Sequence, residues 1–266
     1  MWEDEVEDGG RRKVIWLVAA IVAVMLVVGG WYWYSSHRAA APPVAAAPPQ
    51  PAVNNEAQIA HPLAGANANA PLPALNDSDQ VVHDSLAGVI GGDPVAQFLV
   101  PQNIVRHIVV TVDNLPQRKV AVDLRPVKPT PGETRTASSG DSSAIGEANF
   151  ARYAPLVRVI QATDVKALAV VYEHLYPLFQ HAYEDLGYPG KYFNDRLVQV
   201  IDHLLQAPEV PGPIPVVQPK VFFEYADPGL ESRSAGQKLL IRMGPANARL
   251  IKGKLREFRA EIVKNK

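Results

Sequence analysis

The stretch VKALAVVYEHLYPLFQHAYEDLG, Val165 to Gly187, decides the fold class. Its apolar positions are Val165, Leu168, Tyr172, Leu175, Tyr176, Phe179, Tyr183 and Leu186. They recur every three or four residues along the whole segment, which predicts a long helix with one buried face. Asp164 stands where an N-cap belongs, and Gly187 where a helix ends. Pro177 lacks an amide proton and predicts a kink.

The same pattern spreads outward. KYFNDRLVQVIDHLLQ (191–206) sets Phe193, Leu197, Val200, Ile201 and Leu204 on one face. Gly244-Pro245 breaks the chain, and ANARLIKGKLREFRAEIV (246–263) follows as a last helix, with Ile251, Leu255, Phe258 and Ile262 in line. Upstream, VVHDSLAGVI (81–90) is capped by Asn76 or Asp77 and stops at Gly91-Gly92. Asp93-Pro94 opens VAQFLV, QNIVRHIVVTVD places Ile104, Ile108 and Val112 on one side, and Asn149 to Gln161 is helical. Lys119 to Arg125 alternates with a period of two and predicts a short strand; Val221 to Tyr225 predicts another. Residues 128–147 are rich in Pro, Ser, Thr and Gly and predict a flexible loop. PEVPGPIPVVQP (208–219) predicts an extended strap over the core. Asp227-Pro228 starts a helix expected to run through Leu239, Leu240 and Ile241. Residues 76–266 therefore predict a mainly α, compact helical domain with one or two short strands.

Ahead of the domain stands VIWLVAAIVAVMLVVGGWYW, Val14 to Trp33. A helix of that length spans ~30 Å, a bilayer's hydrocarbon core, so residues 14–34 predict a single transmembrane helix. Arg11, Arg12 and Lys13 precede it and only Arg38 follows, which places residues 1–13 in the cytoplasm. Trp31, Tyr32, Trp33 and Tyr34 form an aromatic belt at the outer interface. The apolar run exceeds the ~7–15 residues of a signal peptide's core, so an uncleaved anchor is expected. Residues 35–75 are rich in Ala and Pro and lack apolar periodicity. They predict a disordered linker, whose 37 residues from 39 to 75 span ~35 Å as a coil and ~115 Å fully extended.

Charge is split. Residues 77–232 carry 12 Lys/Arg against 19 Asp/Glu, net −7, and residues 233–266 carry 10 against 2, net +8. The absence of cysteine excludes disulfides, thiolate metal sites and cysteine nucleophiles. There is no G-x-S-x-G elbow, no S-x-x-K, no phosphate loop and no dinucleotide fingerprint, so no cofactor is expected.

FARYAPLVR (150–158), LYPLF (175–179), LGYPG (186–190), YFNDR (192–196), YADP (225–228) and SAGQKLLIRMGP (234–245) occur in that order. Together they resemble a bacterial envelope family, a domain of unknown function (DUF3014), over roughly residues 77–263. The resemblance implies an inner-membrane protein of a Gram-negative cell with its domain in the periplasm. It implies no activity, substrate or catalytic residue.

On the last helix, with Ile251 at zero, Leu255, Phe258 and Ile262 fall within about 40°, while Lys252, Arg256, Arg259 and Arg249 fall between roughly 80° and 160°. This basic stripe predicts binding to an acidic envelope protein or anionic lipid, set against an internal match with the acidic body. Nucleic acid is disfavoured by location. Tyr188 and Tyr192, nearest a turn, are further binding candidates among tyrosines that mainly fill the core. Asp195 and Asp202 lie on one polar stripe and are the candidate carboxylates of an alternative, a membrane-tethered hydrolase or cell-wall enzyme. His174 and His181 stand two turns apart, ~10 Å, too far for one ion, so no metal site is expected. The leading expectation is a non-enzymatic, membrane-anchored binding or scaffold module of the cell envelope.

Overall fold

The structure, a computed structural model, describes residues 59–63, 71–139 and 142–264. The expected cytoplasmic tail, the membrane segment and most of the linker lie outside them. Among the described residues no helix is long and apolar enough to cross a membrane.

The long helix forms as its periodicity requires, over Val165–Asp185. Asp164 caps it, its carboxylate accepting the amides of Lys166 and Ala167 at 2.9 and 3.2 Å. Around this central helix, here α6, the others are laid in chain order. A 3₁₀ turn at Leu75–Asp77 leads into α1 (Asp79–Ile90), α2 (Gly92–Phe98) and α3 (Ile104–Asn114). Two short strands follow, then α4 (Glu147–Phe150), a 3₁₀ turn and α5 (Ala154–Ala162). After α6 come α7 (Phe193–Leu205), two more strands, α8 (Pro228–Glu231), α9 (Ala235–Arg242) and α10 (Pro245–Ile262).

The main core lies where α6 meets α1, α3, α7 and the end of α10. Aromatic rings run through it. Tyr172 packs against Tyr176, Phe179 and Phe258 at 5.4–5.8 Å, and Phe179 stacks on Phe193 at 5.9 Å. Tyr183 stacks on Tyr188 at 4.6 Å. Tyr172 and Tyr176 are held protonated, their phenol pKa values raised chiefly by burial. A second core joins α5, α7, α9 and α10 through Val157, Val200, Leu204, Leu240 and Ala248.

Several expectations are corrected. The one or two strands expected are four, and the strand expected at Val221–Tyr225 is confined to Glu224–Tyr225, because Val221 and Phe222 lie in the turn before it and pair with no neighbouring strand among the described residues. Lys119–Arg125 is not a strand: its centre is a 3₁₀ turn, Val122–Leu124, with both end residues exposed. Alternation alone does not make a strand without a partner edge, and Pro116 and Pro126 bracket this stretch. Residues 128–147 are not one flexible loop. They hold β1 (Thr136–Ser139) and β2 (Ser142–Ile145), which form an antiparallel sheet in the order β1-β2-β3-β4 with β3 (Ile214–Val217) and β4 (Glu224–Tyr225). The pairing Ile145↔Ile214 fastens it, both residues being buried with Phe150, Val216, Tyr225 and Ile241 in a third core. A serine-rich hairpin that buries one isoleucine shows no hydrophobic alternation, hence the missed signal. Finally, the helix expected after Asp227 is two, α8 and α9, because Ser234 starts a new one by accepting the Gln237 amide at 3.2 Å.

Candidate functional site

Every residue of Tyr192–Arg196 grips something. Asn194, fully buried, is a hub. Its side-chain amide donates to the carbonyls of His61 (2.9 Å) and Ile262 (3.1 Å) and its oxygen accepts from the Tyr172 hydroxyl at 3.2 Å. Asp195, in the first turn of α7, accepts the amides of Ala60 and His61 on its two oxygens at 3.0 and 2.7 Å. The Tyr192 hydroxyl accepts the Leu63 amide at 3.0 Å. Phe193 fills the core and donates its amide to Gln180 Oε1. Arg196 donates to the carboxylate and the carbonyl of Asp113, both at 2.9 Å. Asp113 also accepts the Tyr188 hydroxyl at 3.1 Å, and its negative charge raises that phenol's pKa.

Residues 59–63, inside the stretch expected to be linker, are thus a docked strap. Leu63 enters the main core, 9% exposed. One leucine and a few main-chain groups need no periodicity, so no pattern announced the docking. From the strap an open groove of about 420 Å³ runs along α7, lined by Ala60, His61, Asp195, Val198, Gln199, Asp202, His203 and Gln206. Of these lining residues, His203 has its Nε2 2.8 Å from the Oγ of buried Ser234.

One residue of each of the sequence's two candidate sites pairs with the other. Arg259 donates to both oxygens of Asp202 at 2.6 and 2.8 Å, and that hydrogen bond raises the guanidinium pKa. Arg249 pairs with Glu209 at 3.1 Å. Lys252 is buried and donates to the carbonyl of Ala207, just past the end of α7. Of the four stripe residues only Arg256 is exposed with no partner among the described residues. Lys254, outside the stripe, reaches the Thr163 carbonyl at the end of α5 at 3.0 Å.

Asp195 and Asp202 share the groove, but every carboxylate oxygen of the pair already accepts a strong donor. Neither is arranged to carry a proton to a substrate. Ser234 and His203, which sequence motifs do not mark, come closer to a nucleophile pair. Yet Ser234 Oγ also caps α9 and is nearly buried, and among the described residues no carboxylate orients the other His203 nitrogen. His181 contacts Asp185 at 3.6 Å, and among the described residues no group of three or more His, Cys, Asp or Glu could hold a metal ion.

Fold and site define a helical domain that clasps a short, bent segment of its own N-terminal chain, residues 59–63, across a buried asparagine. The family described as "Protein of unknown function (DUF3014)" matches residues 104–259, and the chain belongs to that family. The matched span holds the cradle, Tyr192–Arg196, but not the strap. No curated protein and no solved structure matches the chain.

Proposed function

We propose that this chain is a non-enzymatic binding or scaffold module of the bacterial cell envelope, anchored in the inner membrane by one helix, with its N-terminus cytoplasmic and its domain periplasmic. The observation that carries the reading is the use made of Tyr192–Arg196. These residues hold a short irregular segment, bent at Ala60 and His61, through three main-chain amides, one carbonyl and one buried leucine, the chemistry of peptide recognition. They also fasten the tether to the domain. The docking surface moves from the last helix, whose cations are largely paired, to the α7 groove beside the strap, which suits a further short segment of an envelope protein.

A photo-crosslinking residue at Gln199 or Gln206 of the full chain in cells tests this. Both positions are expected to give adducts with the same envelope protein, and exposed Val170 on α6 none. The second reading is a tethered hydrolase, favoured by the Ser234–His203 contact. Turnover of an envelope ester or amide by the purified full chain, abolished by Ser234→Ala or Asp202→Asn, would replace the binding reading with it.

A further inference from the structure

The two most exposed large apolar side chains among the described residues are neighbours in the chain. Val221 and Phe222, in the turn between β3 and β4, are 77% and 80% exposed, and neighbouring Val217 is 47% exposed. Their placement is built. The ladder closes at Val217↔Glu224, the Gln218 side-chain amide donates to the Val221 carbonyl at 3.0 Å, and Arg242 donates to the Phe223 carbonyl at 3.2 Å. Phe223 packs inward against the third core, so Phe222 is turned out. Lys220 lies exposed beside the pair, and Glu224 lies at the root of the turn.

We propose that this tip enters the lipid interface of the bilayer that anchors the chain. The inference rests on the membrane-anchor reading. Docking of the strap leaves residues 35–58 between the expected membrane helix and the domain. If these 24 residues take the coil their Ala/Pro-rich sequence predicts, their reach is ~27 Å. At that range the bilayer is presented to the tip at high effective concentration, so a contact too weak to hold a free protein suffices. Two protruding side chains offer far less than the ~800 Å² per partner of a stable protein interface. A lipid surface asks for no shape complementarity. Val221 and Phe222 supply the apolar insertion, and Lys220 meets anionic headgroups. Glu224, at the root, stays in water and limits the depth.

The chain has no cysteine, so single-cysteine labels are unambiguous. The full chain carries a nitrobenzoxadiazole fluorophore at Val24→Cys, Val170→Cys or Val221→Cys in nanodiscs of phosphatidylethanolamine and phosphatidylglycerol, and dithionite quenching is followed. The expected result is protection at 24 and quenching at 221 about tenfold slower than at 170, as an aqueous quencher enters the interface poorly. Phe222→Asp in the Val221→Cys background returns quenching to the rate at 170. Protection at 24 with rapid quenching at 221 overturns the tip proposal and leaves the anchor standing. Loss of protection at 24 overturns both. Protection at 221 that appears only after envelope protein is added assigns the tip to a protein and also overturns the proposal.

Discussion

Asp195→Ala is the sharpest perturbation of the strap. It removes the two hydrogen bonds from the amides of Ala60 and His61 and leaves the Tyr192–Leu63 and Asn194–His61 bonds in place. A hydrogen bond to a charged group contributes ~1.5–3 kcal/mol. Ala60 is exposed and His61 half-buried, so solvent competes, and about 2 kcal/mol for the pair is the working figure. That corresponds to about 30-fold in the equilibrium between docked and released strap. In hydrogen exchange on the full chain, the His61 and Leu63 amides should lose about 30-fold of their protection, with Val200 and Ile201 in α7 nearly unchanged. Asp195→Asn keeps one acceptor oxygen and should give a smaller loss. Asp195 also sits in the first turn of α7, where a carboxylate favours the helix by ~0.3–1 kcal/mol. Leu63→Ala separates the two effects. It leaves α7 untouched and should release the strap at ~2–3 kcal/mol, the low end for a leucine at the core's edge. Unaltered His61 exchange in Asp195→Ala, or a loss of protection in α6 and α7 as large as in the strap, would refute this role for Asp195.

Lys252→Met should destabilise the chain by ~1–3 kcal/mol in urea unfolding, because the Ala207 carbonyl loses its buried donor. A double-mutant cycle of Asp202→Asn and Arg259→Gln should give a coupling of at most ~1 kcal/mol, since both side chains are more than a third exposed; several kcal/mol would contradict that. Burial acts to raise the Glu231 carboxyl pKa, but hydrogen bonds from Lys238 and the Tyr225 amide, with the positive charges of Lys238 and Arg242, outweigh it and leave it lowered. Its stabilisation is therefore complete above the ordinary glutamate range and lost as pH falls through its folded value, so Glu231→Gln should flatten the acid limb of a melting-temperature profile. Gly244→Ala should cost roughly 2–5 kcal/mol by equilibrium unfolding, as Gly244 holds φ at +87° and an added Cβ would stand 2.5 Å from the Phe150 ring.

What was legible in the sequence was whatever repeats. The faces of α6 and α7 follow from spacing, and their predicted residues Tyr172, Leu175, Phe179, Phe193 and Ile201 are buried. On α3 the pattern is nearly right. Ile108 and Val112 lie at the margin while Ile104, Val105 and Val109 are buried, because α6 and α7 meet that helix slightly to one side. What stayed hidden depends on single contacts between distant segments. The β1–β2 hairpin rests on Ile145 meeting Ile214, and the strap on Asp195 meeting residues 134 and 135 positions away. YFNDR was visible as a motif, but its work was not, since asparagine, aspartate and tyrosine look alike whether they serve substrate, solvent or backbone.

The charge division of the chain gains a physical meaning from the ends of helices. Lys252 and Lys254, two residues apart on α10, reach in turn the carbonyl of Ala207 past α7 and that of Thr163 past α5. A helix's last carbonyls lack internal donors and carry the negative end of its dipole, so a cation there is favoured twice, by hydrogen bond and by field. Arg259 and Arg249 then take Asp202 on α7 and Glu209 just beyond it. Basic residues at these positions lock the last helix across the ends of two others. They also bring Ile262 against Asn194, whose other bond holds His61. The basic tail and the strap consequently meet at one buried amide. Asn194→Ala should loosen both the end of α10 and residues 59–63 in the same hydrogen-exchange experiment, and protection lost at only one of them would show that the two are not joined there.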